Sequence, residues 1–351
     1  MKLFVATRKG LFVLNQSKIE KLHFLGDPVT AVLREKGNLY AALNLGHFGV
    51  KMRRSSNDGA TWEEIAVPAY PPQPKSDEKT PWKLVQIWAL EADPAGTLWA
   101  GSIPGGLFKS GDRGATWTLL DSLWRRPERA EWFGGGYDHP GIHSICIDPR
   151  DNRRLTVGIS CGGAWQTRDG GETWGLASRG MYAEFMPPER RNDPNIQDPH
   201  RIVQCASRPD AFWAQHHNGV FRSTDGSKSW QEVTAIKPSK FGFAVAVHPH
   251  DADTAWFVPA VKDECRVPVD GKLVVARTRD AGKSFQVLGK GLPQQHAYDL
   301  VYRHGLAVDA SGKHLALGST TGGLWISDNQ GESWECISTQ LPPIYCVRFA
   351  D

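Results

Sequence analysis

Apolar and polar residues alternate along this chain in short runs separated by glycine, proline and aspartate, the period of β-strands rather than helices. The runs come in pairs. Thr97-Leu-Trp-Ala100 precedes Gly106-Leu-Phe-Lys109, and the same shape recurs as LTVGISCGGAWQT, FWAQHHNGVFRS and LALGSTTGGLWIS. Upstream of these pairs lies a further strand ending in Asp/Arg/His-Pro, as in IWALEADP, SICIDP, QCASRP and AVAVHP. Seven segments qualify as such inner strands: 29–34, 86–92, 143–148, 201–207, 242–248, 304–309 and 344–349.

After most strand pairs a short motif recurs: Ser/Thr first, Asp/Asn third, Gly fifth, Ser/Thr seventh, aromatic eighth. Its copies are Ser55–Trp62, Ser110–Trp117, Thr167–Trp174, Ser223–Trp230, Thr278–Phe285 and Ser327–Trp334. Successive starts lie 55, 57, 56, 55 and 49 residues apart, a repeat period of one blade-sized unit. The fourth copy has Ser227 in place of Gly and the fifth has Phe285 in place of Trp. A short acidic side chain can accept backbone N–H groups inside a tight turn. Gly permits the turn's dihedrals, and the aromatic ring fills the gap between neighbouring sheets.

These motifs resemble the Asp-boxes of BNR-repeat β-propellers. The resemblance implies all-β, four-stranded blades in which the motif joins the third and fourth strands, on the face opposite the active site. The boxes are then structural. The seventh inner strand, Ile344–Phe349, is followed only by Ala350 and Asp351, whereas Lys2–Thr7 matches a second strand and Gly10–Leu14 a third. One blade is therefore expected to be completed from both termini, which removes free sheet edges. Asn15–Lys18 carries no box there, so six boxes and seven blades agree. The expectation is a single seven-bladed β-propeller domain spanning residues 1–351.

Composition narrows the function classes. A formal charge of +3 over 351 residues, without a basic run, argues against nucleic acid or an anionic membrane as partner. No apolar stretch approaches the roughly 18 residues of a membrane span. Six cysteines without a CxxC pair fit reduced thiols and a cytoplasmic setting. The start, MKLFVATRKGLFVL, reads as strands rather than a signal peptide, because Arg8 and Lys9 interrupt its apolar run.

In such blades the second-to-third strand and blade-to-blade connections share one face. Eight of the twelve histidines fall there: His47, His139, His143, His200, His216, His217, His296 and His304. Three blade-to-blade connections are long, at 66–85, 119–142 and 176–200. Trp132, Phe133 and Gly134–Gly136 in the second offer a platform and lid for a sugar ring. Function concentrates where loops are long and chemically rich.

His47, His200, His216 and His217 are candidate metal ligands, the adjacent pair supplying one ring, and imidazoles suit a divalent transition metal such as Zn, Mn or Cu. His143 and His304 align at equivalent positions, expected at the channel mouth as acid/base groups. With His304, Tyr298 and Arg303 form the set that proton abstraction beside a uronate needs. Lys262, Asp263 and Glu264, with Arg266, bring acid, base and cation together, or form a solvated loop of internal salt bridges. Cys161 is a candidate nucleophile or soft ligand, the alternative being a buried structural thiol.

Sialidase activity is not expected. Members of that family have six blades and three arginines, the first in an Arg-Ile-Pro motif, and the nearest string here is Arg201-Ile-Val203. The expected function is an enzyme of hydrolase or lyase type with a His-rich site at the channel mouth. Its substrate would be a small polar or acidic, sugar-acid-like molecule, with metal assistance an option. Two alternatives stand beside it. One is a protein-binding assembly propeller using loops such as Tyr70-Pro-Pro-Gln-Pro74, and the other a copper-type redox protein.

Overall fold

The computed structural model describes residues 1–75, 81–135 and 137–350. Their strands form seven four-stranded antiparallel sheets in a ring, a seven-bladed β-propeller. Blades 1 to 6 begin with the inner strands Val29–Glu35, Gln86–Ala92, Ile142–Ile147, Pro199–Gln204, Gly242–His248 and Leu306–Val308. Each inner strand packs beside the next, and Ile344–Phe349 of blade 7 packs beside both Leu306–Val308 and Val29–Glu35. The circle closes there.

Blade 7 is shared by the termini: Ile344–Phe349 pairs with Lys2–Thr7, followed by Gly10–Asn15 and Lys18–His23. Leu3 sits opposite Phe349 and Val5 opposite Val347, so one face of the strand pair is apolar on both strands. The blade 6 inner strand is shorter than its 304–309 expectation. Before Leu306 the backbone instead makes a parallel bridge from His304 to Cys346 of blade 7, with the Val347 N–H donating to the His304 carbonyl at 2.9 Å.

The recurring turns share one bonding scheme, displayed by the copy at residues 110–117. The Ser110 hydroxyl donates to Asp112 at 2.8 Å and accepts the Gly114 N–H at 2.9 Å, while Asp112 accepts the Thr116 N–H at 2.9 Å and the Thr116 hydroxyl. These bonds hold the Asp112 carboxyl at about 2, the Thr116 hydroxyl contributing most. The fifth position is left-handed throughout, φ +83° at Gly114 and +62° even at Ser227. Between blades lie Trp165, Trp213, Trp256 and Trp325, all fully buried. Each removes roughly 150–250 Å² from water, at about 25 cal/mol per Å² of apolar surface.

Candidate functional site

Antiparallel order places the second-to-third connections and the blade-to-blade connections at one end of the propeller, opposite the recurring turns. A cavity of about 640 Å³ opens at that end over blades 3, 4 and 5. Phe133, Phe185, Phe241 and Phe243 form apolar walls, and Glu184, Asn218, Lys240 and the loop Val261–Arg266 add polar groups.

Asp198, His200 and His217 gather on its wall, with one ligand-capable atom of each within 4.8 Å of the others. Asp198 and His200 flank Pro199 at the start of the blade 4 inner strand, where the pairing with the second strand bulges between Pro199 and Arg201. His217 follows the second strand Phe212–His216. The Asp198 Oδ2 lies 3.4 Å from His200 Nε2 and 3.5 Å from His217 Nδ1, while its Oδ1 accepts the Cys161 N–H at 3.1 Å.

Protonation follows from the surroundings. Burial would raise the Asp198 carboxyl, but His200, His217 and Arg303 outweigh it and hold the group well below the ordinary carboxylate range. Burial lowers His200 despite Asp198. Its Nδ1 lies 2.6 Å from the Gly242 carbonyl, which only accepts, so Nδ1 carries a proton. For His217 burial lowers the basicity, but the bond to Asp198 wins and the net shift is upward.

A divalent ion bound at roughly 2.0–2.2 Å in tetrahedral geometry separates its donors by about 3.4 Å. The 3.4 and 3.5 Å spacings match, the carboxylate is ionised, and the Nδ1–H anchor on a carbonyl is the usual support for a ligating imidazole. The donor set is two imidazoles and a carboxylate with its remaining side open to the cavity.

The other expected ligands lie elsewhere. His216 is fully buried, its Nε2 accepting the Asp198 N–H and its Nδ1 facing the Asn218 N–H, both at 3.1 Å. Burial holds it at about 3, and it braces the two loop ends instead of ligating. His47 is exposed in the short turn Gly46–Phe48, its ring tilted against Phe48 with centres 3.9 Å apart, in blade 1 and remote from the blade 4 cluster.

His143 does not reach the channel mouth. It is fully buried in the blade 3 inner strand with its ring against Trp88 and its Nδ1 2.8 Å from the Ser144 hydroxyl. Its carbonyl receives both His304 Nε2, at 2.8 Å, and Arg201 Nη1, at 2.9 Å, which stops the channel below the cavities. Burial, helped by nearby cations, pushes both histidines well below the ordinary range. His304 nevertheless lines the floor of a second cavity of about 180 Å³ on the axis, with Trp88, Tyr137, Tyr302, Arg303 and Tyr345. Gly135, Phe243 and Arg266 line both cavities, so the two adjoin.

Tyr298 is two-thirds exposed and lines neither cavity, so it does not pair with His304 or Arg303. Lys262, Asp263 and Glu264 sit on the rim, with Lys262 paired to Glu264 at 3.6 Å and Asp263 to Arg266. Cys161 faces the larger cavity, but burial and then Asp198 push its thiol upward, the reverse of what a thiolate nucleophile needs. Trp132 is buried, donating Nε1–H to Asn195 at 2.8 Å, which leaves Phe133 as the exposed part of that platform. Gly136 of the glycine run and residues 76–80 of the proline-rich connection lie outside the described residues. Tyr70 does not present itself to a partner, since its hydroxyl bonds Ser102 and the Pro104 carbonyl, both at 2.6 Å.

Sequence reasoning found Phe133 but missed Asp198 and the other aromatic walls, Phe185, Phe241 and Phe243. The available signal was the spacing Asp198-Pro-His200, two residues apart at a strand start.

No protein-family model matches the chain. In a 150-residue alignment that covers 37% of its length, it is 29% identical to xyloglucanase Xgh74A of Acetivibrio thermocellus, and the match covers 16% of that enzyme. Among solved structures, the GH74 xyloglucanase of Xanthomonas campestris superposes with a TM-score of 0.68 at 18% identity, over 96% of this chain and 52% of that one. The GH74 enzyme of Niastella koreensis gives 0.63 at 17% identity, over 95% and 51%. YCF48 bound to D1 peptide gives 0.55 at 13% identity, over 88% and 82%. The chain thus spans about half the length of the GH74 chains it matches. At such identities the likeness establishes the fold: a seven-bladed β-propeller matching GH74 xyloglucanase structures.

Proposed function

We propose that this propeller is a metal-assisted hydrolase acting on a small, polar, carbohydrate-like molecule in the cavity over blades 3 to 5. The observation that carries the reading is the Asp198–His200–His217 cluster, with donor spacings suited to one divalent ion and an open side facing the cavity. A Zn²⁺ or Mn²⁺ ion held there would polarise a substrate oxygen or activate water. Phe133, Phe185 and Phe241 offer apolar faces to a sugar ring, while Asn218 and the Lys240–Glu184 pair, 3.4 Å apart, offer hydroxyl partners. The partial match to a xyloglucanase supports hydrolysis over elimination. The same reading takes the six recurring turns as Asp-boxes of a BNR-repeat propeller, remote from the chemistry.

The test is metal content by plasma mass spectrometry on tag-free protein, with His200→Ala and His217→Ala variants, followed by a panel of glycosides and lactones. Near-stoichiometric Zn or Mn, lost in both variants together with hydrolysis of a panel member, is expected. Metal-free wild-type protein that takes up no added ion and turns over no panel member defeats the reading. Copper with a visible absorption band would replace it by a redox function.

A further inference from the structure

The smaller axial cavity contains a cation without a counter-ion. Arg303 is 6% exposed, and its Nε and Nη2 have no hydrogen-bond partner. Its guanidinium lies 4.5 Å from the centre of the Trp88 ring and 5.5 Å from that of Phe243. The second arginine of the cavity, Arg266, is committed to Asp263 through Nε and Nη2. Among the described residues no carboxylate stands within ion-pair distance of Arg303, although Asp198 acts on it from farther off. A buried, unpaired guanidinium is unfavourable in the empty protein, and a ligand that arrives with negative charge relieves it.

A guanidinium that lies over Trp88 and lines the cavity can offer a planar carboxylate two parallel hydrogen bonds along one edge. The remaining polar lining is uncharged: Thr30, Gln86, Tyr137, Tyr302, Tyr345 and His304. A volume of about 180 Å³, some six times the share of one water molecule, admits a carboxylate with a few attached atoms.

We propose that Arg303 is a carboxylate-binding residue and that the axial cavity is the subsite for the acid group of the substrate. The rest of the molecule passes Gly135 and Phe243, which line both cavities, and reaches the Asp198–His200–His217 cluster. The substrate class is then a sugar acid or similar hydroxy acid. This assignment deepens the hydrolase reading and rests on it for the destination of the substrate, while the anion subsite stands on Arg303 itself.

The experiment is isothermal titration of the full chain, treated with chelator, using D-glucuronate, D-glucose and inorganic phosphate. Saturable glucuronate binding at least tenfold tighter than glucose or phosphate is expected. It should weaken at least tenfold in Arg303→Gln and in Arg303→Lys, which keeps the charge but loses the fork. The wild-type comparison of glucuronate with glucose remains decisive if a variant fails to fold. Equal affinity for the two sugars, phosphate binding more tightly than glucuronate, or glucuronate affinity unchanged in Arg303→Gln overturns the assignment. Arg303-dependent glucuronate binding in a protein that never takes up metal would keep the subsite and remove the metal-assisted reading.

Discussion

Asp198→Asn tests the electrostatics of the cluster without changing its shape. The amide oxygen can still accept the Cys161 N–H, so the perturbation is the loss of one buried negative charge. With His217 Nδ1 at 3.5 Å, an effective dielectric of about 20 puts the gross attraction to a protonated His217 near 5 kcal/mol. Neutralising Asp198 also recovers several kcal/mol of desolvation, and His217, one-fifth exposed, is partly screened. The net penalty is about 1–3 kcal/mol. Its pH dependence has a defined sign. The His217 value is raised in the folded protein, so its stabilisation is complete below about 6.5 and is lost as pH rises through the folded value. The Asp198 value is depressed, so its contribution is present above about 4 and is lost as pH falls through the folded value. The penalty is therefore greatest between about pH 4 and 6.5 and small at pH 9. Thermal midpoints of wild-type and variant protein in chelator, at pH 5.5 and pH 9, should differ by roughly 1–4 °C at the lower pH and by much less at the higher. A penalty equal at both values would refute the pairing of an ionised Asp198 with a protonated His217.

Three further outcomes follow from burial. Native protein treated with iodoacetamide at pH 8 should be labelled at Cys265 and Cys336, the two exposed thiols, and spared at Cys161; peptide mass spectrometry showing Cys161 modified would contradict the raised thiol. Removing residues 344–351 deletes the inner strand of blade 7 and exposes Leu3, Val5 and Ala6, so circular dichroism and size exclusion should report loss of the native state; a monomeric, cooperatively melting truncation would refute closure by the two termini. Tyr298→Phe should alter turnover and melting by less than about 0.5 kcal/mol, because the side chain is exposed and lines neither cavity, and a tenfold loss of activity would put it back in the site.

Much of the architecture could be read from local chemistry. Each recurring turn is a self-contained network of its own hydroxyl, carboxylate or amide, and backbone N–H groups, so six copies at nearly constant spacing announce six blades without reference to the remainder of the chain. The period-2 strands and the unmatched strand at each terminus then require the seventh blade, since a sheet edge left open is unfavourable. The face bearing the long, histidine-rich connections was legible for the same reason: antiparallel order alone decides which connections lie together.

The site itself was not legible to that depth. His216 and His217 are neighbours of one residue type, and only the packing of the blade 4 strand end turns one into the fold and the other into the cavity. His143 and His304 align by position, yet the closeness of opposing inner strands makes them a stopper in the channel and not an acid/base pair at its mouth. Asp198 carries no motif of its own, and its role arises because blades 3 and 4 bring it beside Cys161, His200 and His217. Sequence determines what repeats along the chain because those bonds are local. Which side chains meet at the axis depends on contacts between blades some 55 residues apart, and those distances exist only once the ring has closed.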